Sequence, residues 1–177
     1  VPHDHVLGDV NEGWTVAITT LMNERVAIGS GGAGGRSGGV DDLIDFARDH
    51  GVNHDPRTRQ GLADLYTKTR IQKFLSRRML TAASQGKVPG PEGSIGKLFG
   101  ARVLTQMGEL ALSIAGPAGV ARVDDGYRWN QTMLGAPASH IAGGSDQVLM
   151  NIIGERVLGL PGEPRPDKGV AWKSVPR

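Results

Sequence analysis

The stretch LFGARVLTQMGELALSIAGP, residues 98–117, decides the fold of this chain. Its apolar residues return at intervals of three and four, which is the pattern of a helix with one buried face. The residues on that face are Phe99, Val103, Leu104, Met107, Leu110, Ala111 and Ile114. Because glycine followed by proline ends helices, the pattern predicts that this helix stops at Gly116-Pro117. We expect it to pack in the core.

A second amphipathic helix is predicted over residues 12–29, with Asn11 placed to cap it. Its apolar stripe consists of Trp14, Ala17, Ile18, Leu21 and Ile28. At about 100° per residue, Arg25 falls within that stripe and Glu24 lies on its flank, about 80° away. Two charged residues are therefore expected at or beside the interior.

Two more helices are predicted between these elements. The first, residues 40–50, ends at Gly51, and the second opens at Pro56 and runs to about residue 85. Basic residues lie all around the second helix, which favours a solvated or subunit-facing surface over a nucleic-acid stripe. The glycine-rich segment 29–39 is expected to be a flexible connection, because it follows a helix instead of the strand that a dinucleotide-binding loop needs.

The last strong helix is predicted to follow Gly143-Gly144. Ser145 suits its N-cap and Asp146 suits the positive end of its dipole, while apolar residues continue to Val157. Residues 117–138 are expected to be mixed, mainly loop with a short helix around 129–134. The remaining parts are a short extended segment at residues 1–11 and an extended, proline-rich tail at residues 161–177.

These elements predict an all-α fold, an up-and-down four-helix bundle that assembles into an oligomer. Residues 12–160 form the predicted bundle domain. Residues 1–11 are assigned to the end of a preceding β-domain or a linker, and residues 161–177 to the tail. The chain begins with Val1 in mid-pattern, so we expect a piece of a longer protein.

Composition excludes several classes of chemistry. The 177 residues contain no cysteine, which excludes thiol catalysis, disulfides and cysteine-ligated metals. The formal net charge is only +2, so electrostatics names no nucleic-acid partner. With neither a membrane-length apolar run nor a signal-peptide pattern, a soluble, cytoplasmic protein is expected.

The five histidines lack the spacing of a metal site and are assigned to the surface. Two other places remain as candidates for chemistry. One place is Glu24-Arg25; the other is the glycine-rich start of the last helix, whose free N–H groups suit an anionic or carbonyl-bearing ligand. The residues alone leave plainer alternatives open: an internal salt bridge or oligomer contact for the pair, and a tight turn for the glycines.

Several motifs resemble, in order, landmarks of the C-terminal domain of acyl-CoA dehydrogenases. Residues 6–14 (VLGDVNEGW) and 23–25 (NER) resemble the end of the middle domain and the first C-terminal helix. The later motifs are PGPEGSIGKL (89–98), GPAG (116–119), IAGGS (141–145) and NIIGERVLGLP (151–161). The last motif is highly specific, and the glycine-rich loop after the first helix is similar to the actinobacterial branch.

The resemblance implies the C-terminal domain of a homotetrameric or heterotetrameric flavoenzyme. The implied reaction is the FAD-dependent oxidation of an acyl-CoA to trans-2-enoyl-CoA, in fatty acid or steroid side-chain breakdown. Its electrons would pass to an electron-transfer flavoprotein or a similar acceptor. Residue spacing, net charge and hydropathy predict no metal, no nucleic acid and no membrane span.

The resemblance also implies roles for residues. A minority of the family places its catalytic base on the first C-terminal helix directly before an arginine, which makes Glu24 the base and Arg25 a substrate-binding residue. The implied FAD contacts are Gly116, Gly119, Gly144, Ser145, Gln147 and Arg48, the last standing for an arginine that reaches a neighbouring subunit's flavin.

Departures from the family pattern keep a second reading open. Gly143 stands where most of the family has its base, Leu149 and Met150 replace the usual Gln and Arg, and Ser113 stands where a flavin-contacting Gln is common. The alternative is a non-catalytic partner subunit of a heteromeric acyl-CoA dehydrogenase. A third reading, an unrelated basic helical interaction module, rests on the small positive charge alone.

Overall fold

The computed structural model describes residues 2–29, 38–87, 90–121, 126–164, 167 and 169–174, except for the side chains of residues 25–29, 126 and 172. This part of the chain forms six α-helices. They are α1 (Gly13–Gly29), α2 (Val40–Asp49), α3 (Pro56–Ser84), α4 (Gly93–Ala115), α5 (Gly126–Ser139) and α6 (Asp146–Ile152). One turn of π-helix, Ile153–Val157, continues α6. The described residues contain no strand, and the predicted all-α class is confirmed.

α4 is the central helix and contacts each of the other five. Its predicted apolar face is confirmed, because Val103, Met107, Ala111 and Ile114 are buried there. The helix ends as expected at Gly116, whose φ of 59° is a backbone conformation that costs glycine little. The sequence pattern therefore identified the helix around which the bundle is built.

α3 runs antiparallel to α4, since Gly61 faces Leu110 and Lys68, about two turns further along α3, donates to the earlier α4 residue Gln106. Its start is set by Asp55, whose carboxylate accepts a 2.8 Å hydrogen bond from the backbone N–H of Thr58. Pro56 occupies the first helical position, where the missing N–H costs nothing. The predicted start of this helix is confirmed.

α5 is longer than the sequence pattern indicates. The prediction was a short helix around 129–134, whereas the structure has fourteen helical residues. Trp129, Thr132 and Ala136 are its buried residues, at helical spacing. Threonine and alanine add little apolar signal, so the stripe was weak in the sequence although the Trp129 ring packs 5.8 Å from that of Phe46.

α1 corrects one expectation. Its stripe was predicted to face the interior, but Trp14 is 78% exposed and Ile18 and Leu21 are also exposed in this chain. α1 packs against α4, yet Trp14, Ala17, Ile18 and Leu21 of the stripe are exposed, and the side chain of Ile28 lies outside the described residues. An exposed apolar stripe of this kind is typical of a surface that meets another domain or subunit.

The connecting segments match the predictions in part. Within the extended segment expected at residues 1–11, His3–His5 form a turn of 3-10 helix. Most of the glycine-rich connection, residues 30–37, lies outside the described residues, as does part of the tail. None of the described helices is both long enough and apolar enough to cross a membrane.

Candidate functional site

The buried ammonium group of Lys97 lies at the centre of the candidate site. Lys97 is in the first two turns of α4 and is only 2% exposed. Its Nζ donates a 2.7 Å hydrogen bond to the carbonyl oxygen of Gly144, and the Oδ1 of Asp146 lies 3.9 Å away. Lys97 thus connects α4 to the start of α6.

Sequence reasoning included Lys97 in the motif at residues 89–98 but assigned it no role. The signal that could have found it is its place four residues before Ala101, on the buried face of α4. Its partners, however, are 47 and 49 positions away in the sequence, so no local pattern indicates them.

Asp146 carries a second connection. Its Oδ2 lies 2.7 Å from Nδ1 of His140, and Nε2 of the same imidazole lies 2.8 Å from the hydroxyl of Thr105. The other carboxylate oxygen, Oδ1, is buried without a hydrogen bond and faces Lys97. These side chains form a polar network between α4, α6 and the turn that precedes α6.

The start of α6 has the geometry expected from its glycines. Gly143 and Gly144 have φ values of 70° and 104°, which β-carbon-bearing residues rarely adopt. Ser145 is the N-cap, and its hydroxyl accepts a hydrogen bond from the backbone N–H of Val148, as predicted. The side chain of Gln147 is exposed. The turn therefore presents a hydroxyl, an amide and backbone groups together.

Glu24 lies on α1, and its negative charge acts on Lys97. Burial lowers the pKa of Lys97 below its ordinary value, while the charges of Asp146 and then Glu24 oppose that shift. Glu24, expected at or beside the interior, is exposed in this chain. The side chain of Arg25 lies outside the described residues.

Gly116 and Gly119 lie at the opposite end of α4. With a rise of 1.5 Å per residue, Gly116 is about 28 Å along the helix from Lys97. Gly116 is exposed and a Cβ there would meet open space, whereas Gly119 is buried against Leu112 and Ala115. The structure therefore separates these two glycines from Gly144, Ser145 and Gln147.

Arg48 belongs to neither of these groups of residues. It lies on α2 in an exposed 2.7 Å ion pair with Asp45. With Asn53 and Arg59 it lines a shallow cleft between α2 and α3 whose apolar floor is Ile44 and Leu62. Two guanidinium groups at one cleft suit an anionic ligand.

The comparisons with known proteins agree with this architecture. Residues 11–158 match the family described as acyl-CoA dehydrogenase, C-terminal domain. The chain belongs to the acyl-CoA dehydrogenase family. Over 161 residues it is 33% identical to the acyl-CoA dehydrogenase FadE34 and 32% identical to the acyl-CoA dehydrogenase IpdE1, both of Mycobacterium tuberculosis.

The two relatives are longer than this chain. The FadE34 match covers 91% of the chain and 22% of the relative, and the IpdE1 match covers 90% and 41%. A solved structure described as a variant of the Tcur3481-Tcur3483 steroid ACAD superposes with a TM-score of 0.77 at 25% identity, covering 92% of this chain and 44% of the other. The chain thus spans less than half the length of these acyl-CoA dehydrogenases.

The described residues offer no metal centre, since they hold no group of three or more side chains able to ligate one. The candidate groups among the described residues are instead the carboxylate of Glu24, the buried ammonium of Lys97 and the uncharged donors at the start of α6. These groups suit proton transfer and the binding of a heteroaromatic ring with carbonyl edges.

Proposed function

We propose that this chain is the C-terminal part of an FAD-dependent acyl-CoA dehydrogenase with Glu24 as its catalytic base. The observation that carries the proposal is the exposed carboxylate of Glu24 on α1, a helix that packs against α4, the same helix that Lys97 connects to the start of α6. The family resemblance assigned Glu24 and Gly144 to proton transfer and flavin binding separately. α1, which carries Glu24, and α6, which follows Gly144, both pack against α4, and this arrangement supports the two assignments together.

The donor set at the start of α6 fits a flavin. Ser145 offers a hydroxyl and Gln147 an amide, and the conformations of Gly143 and Gly144 leave backbone groups unshielded by a Cβ. Neutral donors of this kind match the carbonyl and nitrogen edges of a flavin ring, which carries no charge when oxidised. Asp146 does not repel the ring from this place, because its carboxylate is engaged by His140 and faces Lys97.

Glu24 has the chemistry that the reaction needs. A carboxylate takes a proton from the carbon next to the thioester carbonyl, and a bound FAD supplies the acceptor for the hydride that leaves the next carbon, giving 2-enoyl-CoA. Exposure of Glu24 in this chain leaves its carboxylate accessible to a substrate. Arg25, the next residue, is proposed to bind the substrate.

The residues Gly116 and Gly119 are proposed to contact a different flavin from the one proposed at the start of α6. Gly116 and Gly119 are about 28 Å from Lys97 along α4, too far for one flavin to reach both ends through this chain alone. Arg48, on α2, contributes to neither end. This separation and the uncovered stripe of α1 support an oligomer, homomeric or heteromeric, in which flavins lie between subunits.

The substrate is proposed to be an acyl-CoA of fatty acid or steroid origin. Steroid substrates are supported by the solved structure described as a steroid ACAD. The test is anaerobic mixing of the purified intact enzyme with a panel of straight-chain and steroid side-chain CoA thioesters. Bleaching of the oxidised flavin band by at least one thioester is the expected result, with an electron-transfer flavoprotein or similar acceptor reoxidising it.

A non-catalytic partner subunit is the second candidate. It is favoured by Gly143 at the usual base position and by Leu149 and Met150 in the last motif, and the description Tcur3481-Tcur3483 joins two protein names. Glu24→Gln separates the candidates whether the intact enzyme is a homomer or a heteromer: the catalytic proposal expects flavin reduction by an acyl-CoA to slow in this variant. Unchanged reduction in a complex whose homologous subunit carries its own base would favour the partner-subunit candidate.

A further inference from the structure

Residues 140–146, which join α5 to α6, form a loop whose two ends are tied together twice. The backbone N–H of Asp146 donates a 3.2 Å hydrogen bond to the carbonyl oxygen of His140. The side chains of the same two residues also meet, since Nδ1 of the imidazole lies 2.7 Å from Oδ2 of the carboxylate. One pair of residues therefore closes the base of the loop, and Gly143, Gly144 and Ser145 lie within it.

The same loop is attached to α4 at two points. The hydroxyl of Thr105 lies 2.8 Å from Nε2 of His140, and Nζ of Lys97 donates to the carbonyl oxygen of Gly144 at 2.7 Å. Thr105 and Lys97 are eight residues apart, which is about 12 Å along the helix. One attachment thus holds the base of the loop, and the other holds its glycines.

The contacts of His140 determine which ring nitrogen carries the proton of the neutral imidazole. A carboxylate only accepts hydrogen bonds, so Nδ1 has to donate to Asp146. Nε2 is then the acceptor and takes the hydroxyl hydrogen of Thr105. Both ring nitrogens are satisfied in this arrangement, although the side chain of His140 is 30% exposed. The imidazole therefore bridges α4 and the first residue of α6.

We propose that His140 is a positioning residue of the flavin site at the start of α6: by holding Asp146, it keeps the polar groups on either side of that residue in place. Those groups are the hydroxyl of Ser145 and the amide of Gln147. This inference rests on the proposed function, because it concerns the turn that is proposed to contact FAD. His140 itself touches neither flavin nor substrate in this account.

The loop needs such a contact because its own residues constrain it weakly. Gly143 and Gly144 both have positive φ, and glycine has the most conformational freedom to lose when a loop is ordered. The hydrogen bond from the Val148 N–H to the Ser145 hydroxyl is long, at 3.4 Å. α6 has only seven residues before its π-helical turn, and helices this short need packing to be stable. The position of the loop therefore depends on its contacts to α4, and His140 supplies the one at its base.

Three substitutions of His140 in the intact enzyme separate its two hydrogen bonds. His140→Asn places an amide N–H near the position of Nδ1 and keeps a donor for Asp146. His140→Gln reaches instead toward Thr105, and His140→Leu keeps neither contact. His5→Gln is the matched control, because His5 is an exposed histidine in the turn before α1. Circular dichroism and thermal unfolding identify the variants that fold, and His140→Gln decides the question if His140→Leu does not fold.

The measurement is the rate at which bound flavin leaves each folded variant, followed by the rise of flavin fluorescence on dilution. We expect His140→Gln and His140→Leu to release flavin about tenfold faster than wild type, because both lose the hydrogen bond to the carboxylate of Asp146. His140→Asn keeps that hydrogen bond and should stay within about threefold of wild type. His5→Gln should release flavin at the wild-type rate.

The outcomes distinguish this inference from the proposed function. If the wild-type enzyme holds flavin and a folded His140→Gln variant releases it at the wild-type rate, the inference is overturned. It is also overturned if His140→Asn releases flavin as fast as His140→Gln, since a histidine that only stabilises the fold would not distinguish the two amides. If the wild-type intact enzyme binds no flavin, the proposed function fails, and the inference fails with it.

Discussion

Nδ1 of His140 lies 2.7 Å from Oδ2 of Asp146, and the other oxygen of the same carboxylate faces the buried Lys97. Asp146 therefore serves two partners on opposite sides. Because it is the first residue of α6, it fixes the start of that helix to α4 and to the turn that carries His140. This carboxylate is a central polar contact for the part of the fold where the site is proposed.

The first prediction concerns Asp146→Asn. The change removes the negative charge that opposes Lys97, leaving a buried ammonium with a single carbonyl acceptor, so the free energy of unfolding should fall by about 1 to 3 kcal/mol. Urea unfolding of the 177-residue chain measures this. Asp45→Asn is the control, because its ion pair with Arg48 is exposed and should contribute about 1 kcal/mol or less. Equal losses of unfolding free energy in the two variants would show that Asp146 stabilises the chain no more than the exposed Asp45 does.

The second prediction concerns the cap of α3. Asp55→Ala removes the acceptor for the Thr58 N–H and should lower the midpoint of thermal unfolding by about 2 to 4 °C. Asp49→Ala, which changes an exposed aspartate in the last turn of α2, should leave the midpoint nearly unchanged. If both substitutions give the same midpoint, the cap does not stabilise the chain.

The pH dependence of this effect has a definite sign. The hydrogen bonds from Thr58 hold the pKa of Asp55 below its ordinary value of 3.8. Since the folded-state pKa is the lower one, the stabilisation is complete above the ordinary value and is lost as the pH falls through the lowered value. The difference between wild type and Asp55→Ala should therefore shrink in acid below about pH 4. A difference that grows on acidification would contradict this account.

The third prediction is that the 177-residue chain alone folds as a helical bundle but binds neither FAD nor acyl-CoA appreciably. The residues proposed to contact flavin lie at opposite ends of α4, and a binding cleft needs walls on both sides of its ligand. Titration of the chain with FAD, followed by flavin fluorescence and by calorimetry, should show no saturable signal. Tight stoichiometric binding would mean that the site is complete within this chain.

The sequence predicts those parts of this structure that depend on interactions between residues close together in the chain. Pro56, and Ser145 with Asp146, indicate helix starts locally, and the apolar repeat of α4 indicates its buried face; the structure agrees at all of these places. The burial of α1 could not be read in the same way, because periodicity says which residues share a face and not whether the chain covers it. Trp14, which shares the apolar face of α1, is exposed.

The candidate site shows the same limit. Glu24 and Ser145 were assigned from motifs, yet the buried Lys97 that connects α4 to the start of α6 has its partners 47 and 49 positions away in the sequence. Its apolar neighbours in the sequence gave no reason to expect an ammonium group in the interior. Tertiary contacts between charged side chains therefore had to be observed in the fold.

The central claim is that Glu24 is the base, and the most direct test is Glu24→Gln in the intact enzyme, with Glu109→Gln on the exposed side of α4 as the matched control. General-base catalysis is typically worth about 10² to 10⁴ in rate. We expect stopped-flow reduction of the flavin by an acyl-CoA to slow by about that factor in Glu24→Gln, with the bound-flavin spectrum retained and Glu109→Gln at the wild-type rate. A Glu24→Gln enzyme that reduces its flavin as fast as wild type would contradict the assignment of the base.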